Sequence, residues 1–187
     1  MGTLHRKHWN IILDGVDPKP GVYIETGLWK GNSLAIAAEV FDECHGIELA
    51  PHWAEHNRRR FQDEPGITIH EGDSAVLLPE ILDSLEFKDV VIMLDAHFCK
   101  TDPPIAKSKF PLWTELAQIE QRPTGDIVIV DDVHTFNRPR PDLRYKPGAV
   151  EWEAVTPAEL VERLGPARVE KHRAVGDSYV IWRQPIF

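Results

Sequence analysis

Carboxylates recur at the ends of apolar runs in this 187-residue chain. Glu25 follows Val22 to Ile24, Glu48 closes Cys44 to Glu48, and Asp73 follows Ile67 to His70. Asp95 closes Asp89 to Asp95, and Asp131 with Asp132 closes Asp126 to Asp131. One acid in such a place is chance, but five runs that each end on one point to a shared polar site. The acids divide by the chemistry open to them. Glu48 lies about twenty residues past a glycine-containing turn, where a carboxylate accepts hydrogen bonds from a ribose diol. Asp73 and Ser74 would flank an adenine or cap a helix, and the two roles are compatible. Asp95, Asp131 and Asp132 form the second set. Neighbouring strands end about 4.8 Å apart, and two carboxylates there repel by roughly 3 kcal/mol at an effective dielectric of about 20. They need a cation, a shared proton or strong hydrogen bonds. Oxygen ligands of this kind favour Mg²⁺, Ca²⁺ or Mn²⁺; the alternative is helix capping plus cofactor contact. Successive strand residues point to opposite faces, so Asp131 and Asp132 share a cation only if the strand ends between them. His97, two residues after Asp95, suits a general base near neutral pH or a packing role; His134 and Lys100 are the other candidates.

These groups need elements to hold them. Val22 to Ile24 gives way to Gly27 and Gly31 and then to the apolar stretch from Ser33 to Ala38, which reads as strand, tight turn, helix. Glycine permits the sharp bend and a close approach to the backbone, and an α/β fold holds a nucleotide-type ligand at such a first turn. Trp29 sits inside the turn, where it covers a ligand or packs. A helix from Ser33 to Phe41 is expected, with Ser33 or Asn32 as its cap. Further helices are expected from Pro51 to about Gln62, from Ala75 to Leu85, from Leu112 to Glu120, and from Thr156 to Gly165. The runs 89–95 and 126–131 are near-continuously apolar, as strands buried on both faces are. Arg168 to Val175 and Ser178 to Trp182 alternate around Gly176 and Asp177, a hairpin pattern. Residues 98–111 and 135–152 read as long loops, and residues 1–20 as a short helix or arm. Alternating strands and helices imply an α/β domain with a mostly parallel sheet covered on both faces, and residues 1–187 carry no internal boundary.

Composition narrows the function. The chain has 30 acidic and 21 basic residues, a net charge of −9, which argues against nucleic acid or an anionic membrane as its partner. Arg58 to Arg60 reads as a solvated helix face. Cys44 and Cys99 form no CxxC pair, so a reducing cytoplasm is the default. No stretch reaches the ~20 apolar residues of a membrane helix. A short-chain dehydrogenase would need a Tyr-x-x-x-Lys pair, and none of Tyr23, Tyr145 or Tyr179 has that lysine; a P-loop would need Gly-Lys-Ser/Thr, and Gly31 precedes Asn32.

From Val22 to Trp182 the chain resembles the class I S-adenosylmethionine-dependent methyltransferases. Glu25 to Ser33 (ETGLWKGNS) is similar to the E-x-G-x-x-x-G-x-S form of their first motif, typical of metal-dependent O-methyltransferases of the catechol type and near the macrocin-type sugar O-methyltransferases. The resemblance implies a Rossmann-like three-layer sandwich with a seven-stranded sheet of order 3-2-1-4-5-7-6 and a C-terminal antiparallel hairpin. It implies S-adenosylmethionine contacts from Glu25, Thr26, Gly27, Gly31, Ser33, Glu48, Asp73, Ser74 and Asp95. It also implies Mg²⁺, or another hard divalent cation, on Asp95, Asp131 and Asp132. The expected activity is methylation of a small-molecule hydroxyl, with His97 and Asp95 as the catalytic residues. Three positions depart from the pattern. Phe98 stands where the catechol type has lysine, His97 where the sugar type has an acid, and Asp132 where the catechol type has asparagine. With only about twenty residues before the first strand, the substrate is closed in by loops 98–111 and 135–152 or by a second subunit of a homo-oligomer. The alternative is a protein of the same fold that binds the cofactor or a nucleoside without transferring methyl groups.

Overall fold

The computed structural model describes residues 4–96, 111–136 and 155–186. The elements run α1 (Arg6–Ile12), β1 (Val22–Thr26), α2 (Asn32–Ala37), β2 (Glu43–Glu48), α3 (Pro51–Arg60), β3 (Ile67–Glu71), α4 (Ser74–Ser84) and β4 (Val90–Leu94). They continue with α5 (Leu112–Glu120), β5 (Ile127–Val130), α6 (Pro157–Arg163), β6 (Val169–Val175) and β7 (Ser178–Arg183). The sheet has seven strands in the order β3-β2-β1-β4-β5-β7-β6. Its first five strands pair parallel, and β7 pairs antiparallel with both β5 and β6. The expected order and hairpin are both present.

Alternation along the strands builds a core on each side. Val22 and Ile24 of β1 face Leu78 and Ile81 of α4, Leu116 and Ile119 of α5 and Leu160 of α6. Tyr23, between them, joins Trp9 and Ile12 of α1, Leu34 and Ala37 of α2, and Phe61 beyond α3. Each fully buried side chain of this size contributes roughly 1.5–3 kcal/mol, so the two cores together hold the three layers. The inner strands β1, β4 and β5 and the near-edge strand β7 are buried throughout, whereas the edge strands β3 and β6 expose alternate or successive residues. The N-terminal arm is part of a layer. The Trp9 ring meets Tyr23 and Phe41 edge-on at 5.5 and 5.2 Å, and the Trp182 indole donates to the Ile12 carbonyl at 3.0 Å.

The start of α2 departs from expectation. Neither Asn32 nor Ser33 caps it; the cap residue is Gly31, left-handed at φ 70°, with no side-chain bond to the helix. Asn32 instead accepts from Arg60 at 2.9 Å, and Ser33 turns to Glu25. The helix ends at Ala37 because the chain tightens: Glu39 and Val40 donate three residues back, to Ile36 and Ala37.

The chain leaves β1 toward one edge through β2 and β3, and leaves β4 toward the other through β5. The carboxyl ends of β1 and β4 therefore flank the point where strand order reverses, the usual ligand crevice of an open α/β sheet.

Candidate functional site

Glu25 is fully buried at the end of β1. The Tyr23 hydroxyl donates to its Oε2 at 3.0 Å, and the Ser33 hydroxyl donates to its Oε1. Burial pushes this carboxyl up to about 8; the Ser33 bond opposes the rise and the charge of Asp95 adds to it. Glu25 thus ties the first turn of α2 to β1, and both its oxygens have protein donors.

The glycines serve the chain itself. Gly27 has φ 82°, and a Cβ on it would collide with the Asp95 carbonyl. A Cβ on Gly31 would collide with the Asn57 side chain. The turn is pinned from both ends: Gly27 N–H donates to Ile47 O at 2.9 Å and Asp95 N–H to Thr26 O at 3.0 Å. Trp29, left-handed at φ 46°, donates its N–H to Glu48 Oε2 at 2.7 Å, and its carbonyl accepts from Asn57 Nδ2 at 2.8 Å. Its ring packs edge-on against Trp53 at 6.0 Å.

Glu48 closes β2 and is buried. Its other oxygen accepts from Ala50 N–H at 2.8 Å, so two backbone donors orient one carboxylate beside the turn. A carboxylate oxygen accepts more than one hydrogen bond, which leaves this group chemically suited to a vicinal diol. Asp73 does cap α4, accepting from Ala75 N–H at 3.0 Å, and Ser74 beside it is buried.

The second set of acids is arranged differently from the expectation. β5 ends at Val130, before Asp131, so the strand's alternation no longer separates the pair. Asp131 is buried and accepts from the Ser178 hydroxyl at 2.7 Å. Burial, then the neighbouring charge of Asp95, pushes its carboxyl up to about 7. Asp132 is left-handed at φ 60° and faces His134, 3.8 Å from its Nδ1. His134 Nδ1 also lies 2.8 Å from Asp177 Oδ2, and its N–H donates to Asp177 Oδ1 at 3.1 Å. Among the described residues, the metal-capable group whose ligand atoms all lie within 4.8 Å of one another is Asp132, His134 and Asp177. Asp95 and Asp131 do not belong to it. The donor chemistry of Asp95, Asp131 and Asp132 fits a hard cation, but their present spacing does not.

Glu25, Thr26, Gly27, Gly31, Ser33, Glu48, Asp73, Ser74 and Asp95 all lie on or beside the carboxyl ends of β1 to β4, as expected. His97, Phe98, Cys99 and Lys100 lie outside the described residues, as does most of both long loops. One buried acid escaped the sequence reading. Glu115 of α5 is 1% exposed, and burial pushes it up to about 7, with the charges of Asp73 and Asp95 adding to the rise. Its signal was present: it sits on the apolar stripe of Leu112, Leu116 and Ile119.

No protein-family model and no curated protein matches the chain by sequence. Solved structures do resemble it. A provisionally assigned rRNA-methylase from Clostridium thermocellum superposes with TM-score 0.59 at 15% identity, over 100% of this chain and 98% of that one. An S-adenosylhomocysteine-bound methyltransferase from Podospora anserina gives 0.57 at 17%, over 95% and 77%. The CurJ carbon methyltransferase gives 0.58 at 15%, over 94% and 51%. The chain spans about half the length of some of the proteins it resembles. At these identities the likeness establishes the fold, a Rossmann-like methyltransferase fold.

Proposed function

We propose that the chain transfers a methyl group from S-adenosylmethionine to a hydroxyl of a small molecule. The observation that carries this reading is Glu48, a buried carboxylate held by the Trp29 and Ala50 N–H groups at the end of β2, facing the turn after β1. A ribose diol offers two hydroxyl donors to such a group, and open α/β sheets hold ligands beyond the carboxyl ends of their strands. Asp73 and Ser74 would flank the adenine, and Glu25 and Ser33 would keep the turn in shape beneath the methionine half. Neighbours of the same fold include a methyltransferase bound to S-adenosylhomocysteine, the product of such a transfer.

Asp95, Asp131 and Asp132 are the residues that would hold a divalent cation. When bound, such a cation supplies a Lewis acid that lowers the pKa of an acceptor hydroxyl. Their present spacing does not form a cation site, and the pairing of Asp132 with His134 and Asp177 would have to open before one could form. His97 is the proposed base. The turn's own task is to fix donor against acceptor, since positioning supplies much of the rate of a displacement.

Calorimetric titration with S-adenosylmethionine and S-adenosylhomocysteine, with and without Mg²⁺, tests both parts. Binding of both is expected, and binding of neither sinks the reading. Asp95→Ala is expected to keep the fold and lose turnover. Turnover that survives chelation of divalent cations would remove the metal and leave the methyl transfer. Cofactor binding with no transfer to any hydroxyl acceptor would favour a binding protein of the same fold.

A further inference from the structure

The buried residues of α3 are Ala54 and Asn57. Asparagine is a poor helix former in a helix interior, and Asn57 is wholly out of water, where a leucine would bury no amide. Both N–H groups of this amide are used. Nδ2 donates to the Trp53 carbonyl one turn back at 2.9 Å and, outside the helix, to the Trp29 carbonyl at 2.8 Å. Both acceptors are carbonyl oxygens, so the amide nitrogen must face them. Its oxygen, Oδ1, is buried with no hydrogen-bond partner among the described residues and lies against Gly31, where a Cβ would collide with it. An unpaired buried acceptor is destabilising; what the amide supplies in return is a bond to the turn after β1. That turn is strained. Trp29 is left-handed at φ 46°, a conformation uncommon for residues other than glycine. It is gripped at both ends, its carbonyl by Asn57 and its N–H by Glu48 Oε2 at 2.7 Å. Three residues beyond Asn57, Arg60 donates to the Lys30 carbonyl and, at 2.9 Å, to Asn32 Oδ1. Helix α3 therefore holds the turn at Trp29, Lys30 and Asn32, and Asn57 makes the buried contact.

We infer that Asn57 is a positioning residue of the cofactor site: by holding the Trp29 carbonyl it keeps Trp29 left-handed, and so keeps the Trp29 N–H on Glu48, the carboxylate proposed to receive the ribose. The inference rests on the cofactor reading above. Without the Asn57 bond, Trp29 relaxes toward negative φ and its N–H leaves Oε2. Of the two backbone donors that orient Glu48, Ala50 N–H then remains. A carboxylate fixed at both oxygens is preorganised for a diol, whereas one fixed at a single oxygen must be ordered when the ligand binds.

Asn57→Leu, Glu48→Ala and the two together are to be compared with the unaltered protein by calorimetric titration of S-adenosylhomocysteine, with amide hydrogen exchange measured without ligand. Asn57→Leu is expected to weaken binding roughly tenfold when Glu48 is present, about the worth of one charge-assisted hydrogen bond. It is expected to weaken binding by less than about twofold when Glu48 is already alanine, because residues that act through one another are not additive. In Asn57→Leu the Trp29 N–H is expected to exchange roughly tenfold faster while Gly27 N–H, bonded to Ile47, keeps its rate. Equal affinity in Asn57→Leu and the unaltered protein would overturn the inference and leave the cofactor reading intact. So would an equal loss with and without Glu48, which marks a purely structural role, and so would unchanged exchange at Trp29. Should Asn57→Leu not fold, Asn57→Ala takes its place in the same cycle, and failure of both to fold overturns the inference. An unaltered protein that binds no S-adenosylhomocysteine would overturn the cofactor reading and this one with it.

Discussion

Glu25, Glu115 and Asp131 hold carboxyls out of water at the carboxyl end of the sheet, pushed up to about 8, 7 and 7 from ordinary values of 4.5, 4.5 and 3.8. In each, burial is the largest cause. A raised folded pKa means that the native state keeps a proton the unfolded chain has lost. The stability this represents is complete below about pH 4 and falls as pH rises toward 8. Urea unfolding in the presence of a chelator is therefore expected to give a midpoint that declines from pH 5 to pH 8. Glu25→Gln cannot ionise and is expected to flatten that decline; an unchanged slope would show that Glu25 is not among its causes. Glu25 and Asp131 were legible in the sequence as acids that close apolar runs. Their partners Ser33 and Ser178 were not, because a serine carries no sign of the carboxylate it will meet.

At the scale of elements, helix starts carry much of the site. Asp73 caps α4 and also stands where an adenine would lie, and one substitution separates the roles. Asp73→Ser keeps a capping oxygen, whereas Asp73→Ala loses it, at a cost of about 1 kcal/mol. Chemical denaturation is expected to rank the unaltered protein and Asp73→Ser together above Asp73→Ala. If the carboxylate also contacts the cofactor, both variants lose affinity for S-adenosylhomocysteine; if only the cap matters, Asp73→Ser binds like the unaltered protein. Thr156 caps α6, with Glu159 N–H donating to its Oγ1 at 3.1 Å and Pro157 at the first helical position. The cap of α2 was misread because Gly31, Asn32 and Ser33 are all acceptable there by type. The choice fell to Gly31 because Ser33 is drawn inward by Glu25 and Asn32 outward by Arg60.

In the whole molecule, the end of the sheet opposite the crevice is locked by charge. Arg122 and Asp126 form a buried pair at 2.9 Å, and Arg122 also donates to the carbonyls of Leu82 in the last turn of α4 and of Leu85 and Lys88 beyond it. Asp126 also meets Arg183 at 3.4 Å, the Thr124 hydroxyl at 3.0 Å and Val90 N–H at 3.2 Å, so Arg122→Leu leaves its charge partly compensated and is expected to cost about 1.5–3 kcal/mol. Thermal unfolding measures it, and a loss below about 1 kcal/mol would mean that those remaining donors suffice. The rigid base contrasts with the crevice end, where acids face one another. The sequence by itself determined the strands, their parallel character, the turn after β1 and the acids at the strand ends, because burial periodicity and glycine are local properties of a chain. Only the tertiary structure decided that Asp132 pairs with His134 and Asp177, that Gly27 is required by the Asp95 backbone, and that Trp29 and Ala50 hold Glu48. Those contacts join segments far apart in the chain, and which segments meet depends on strand order and on how each helix is rotated against the sheet.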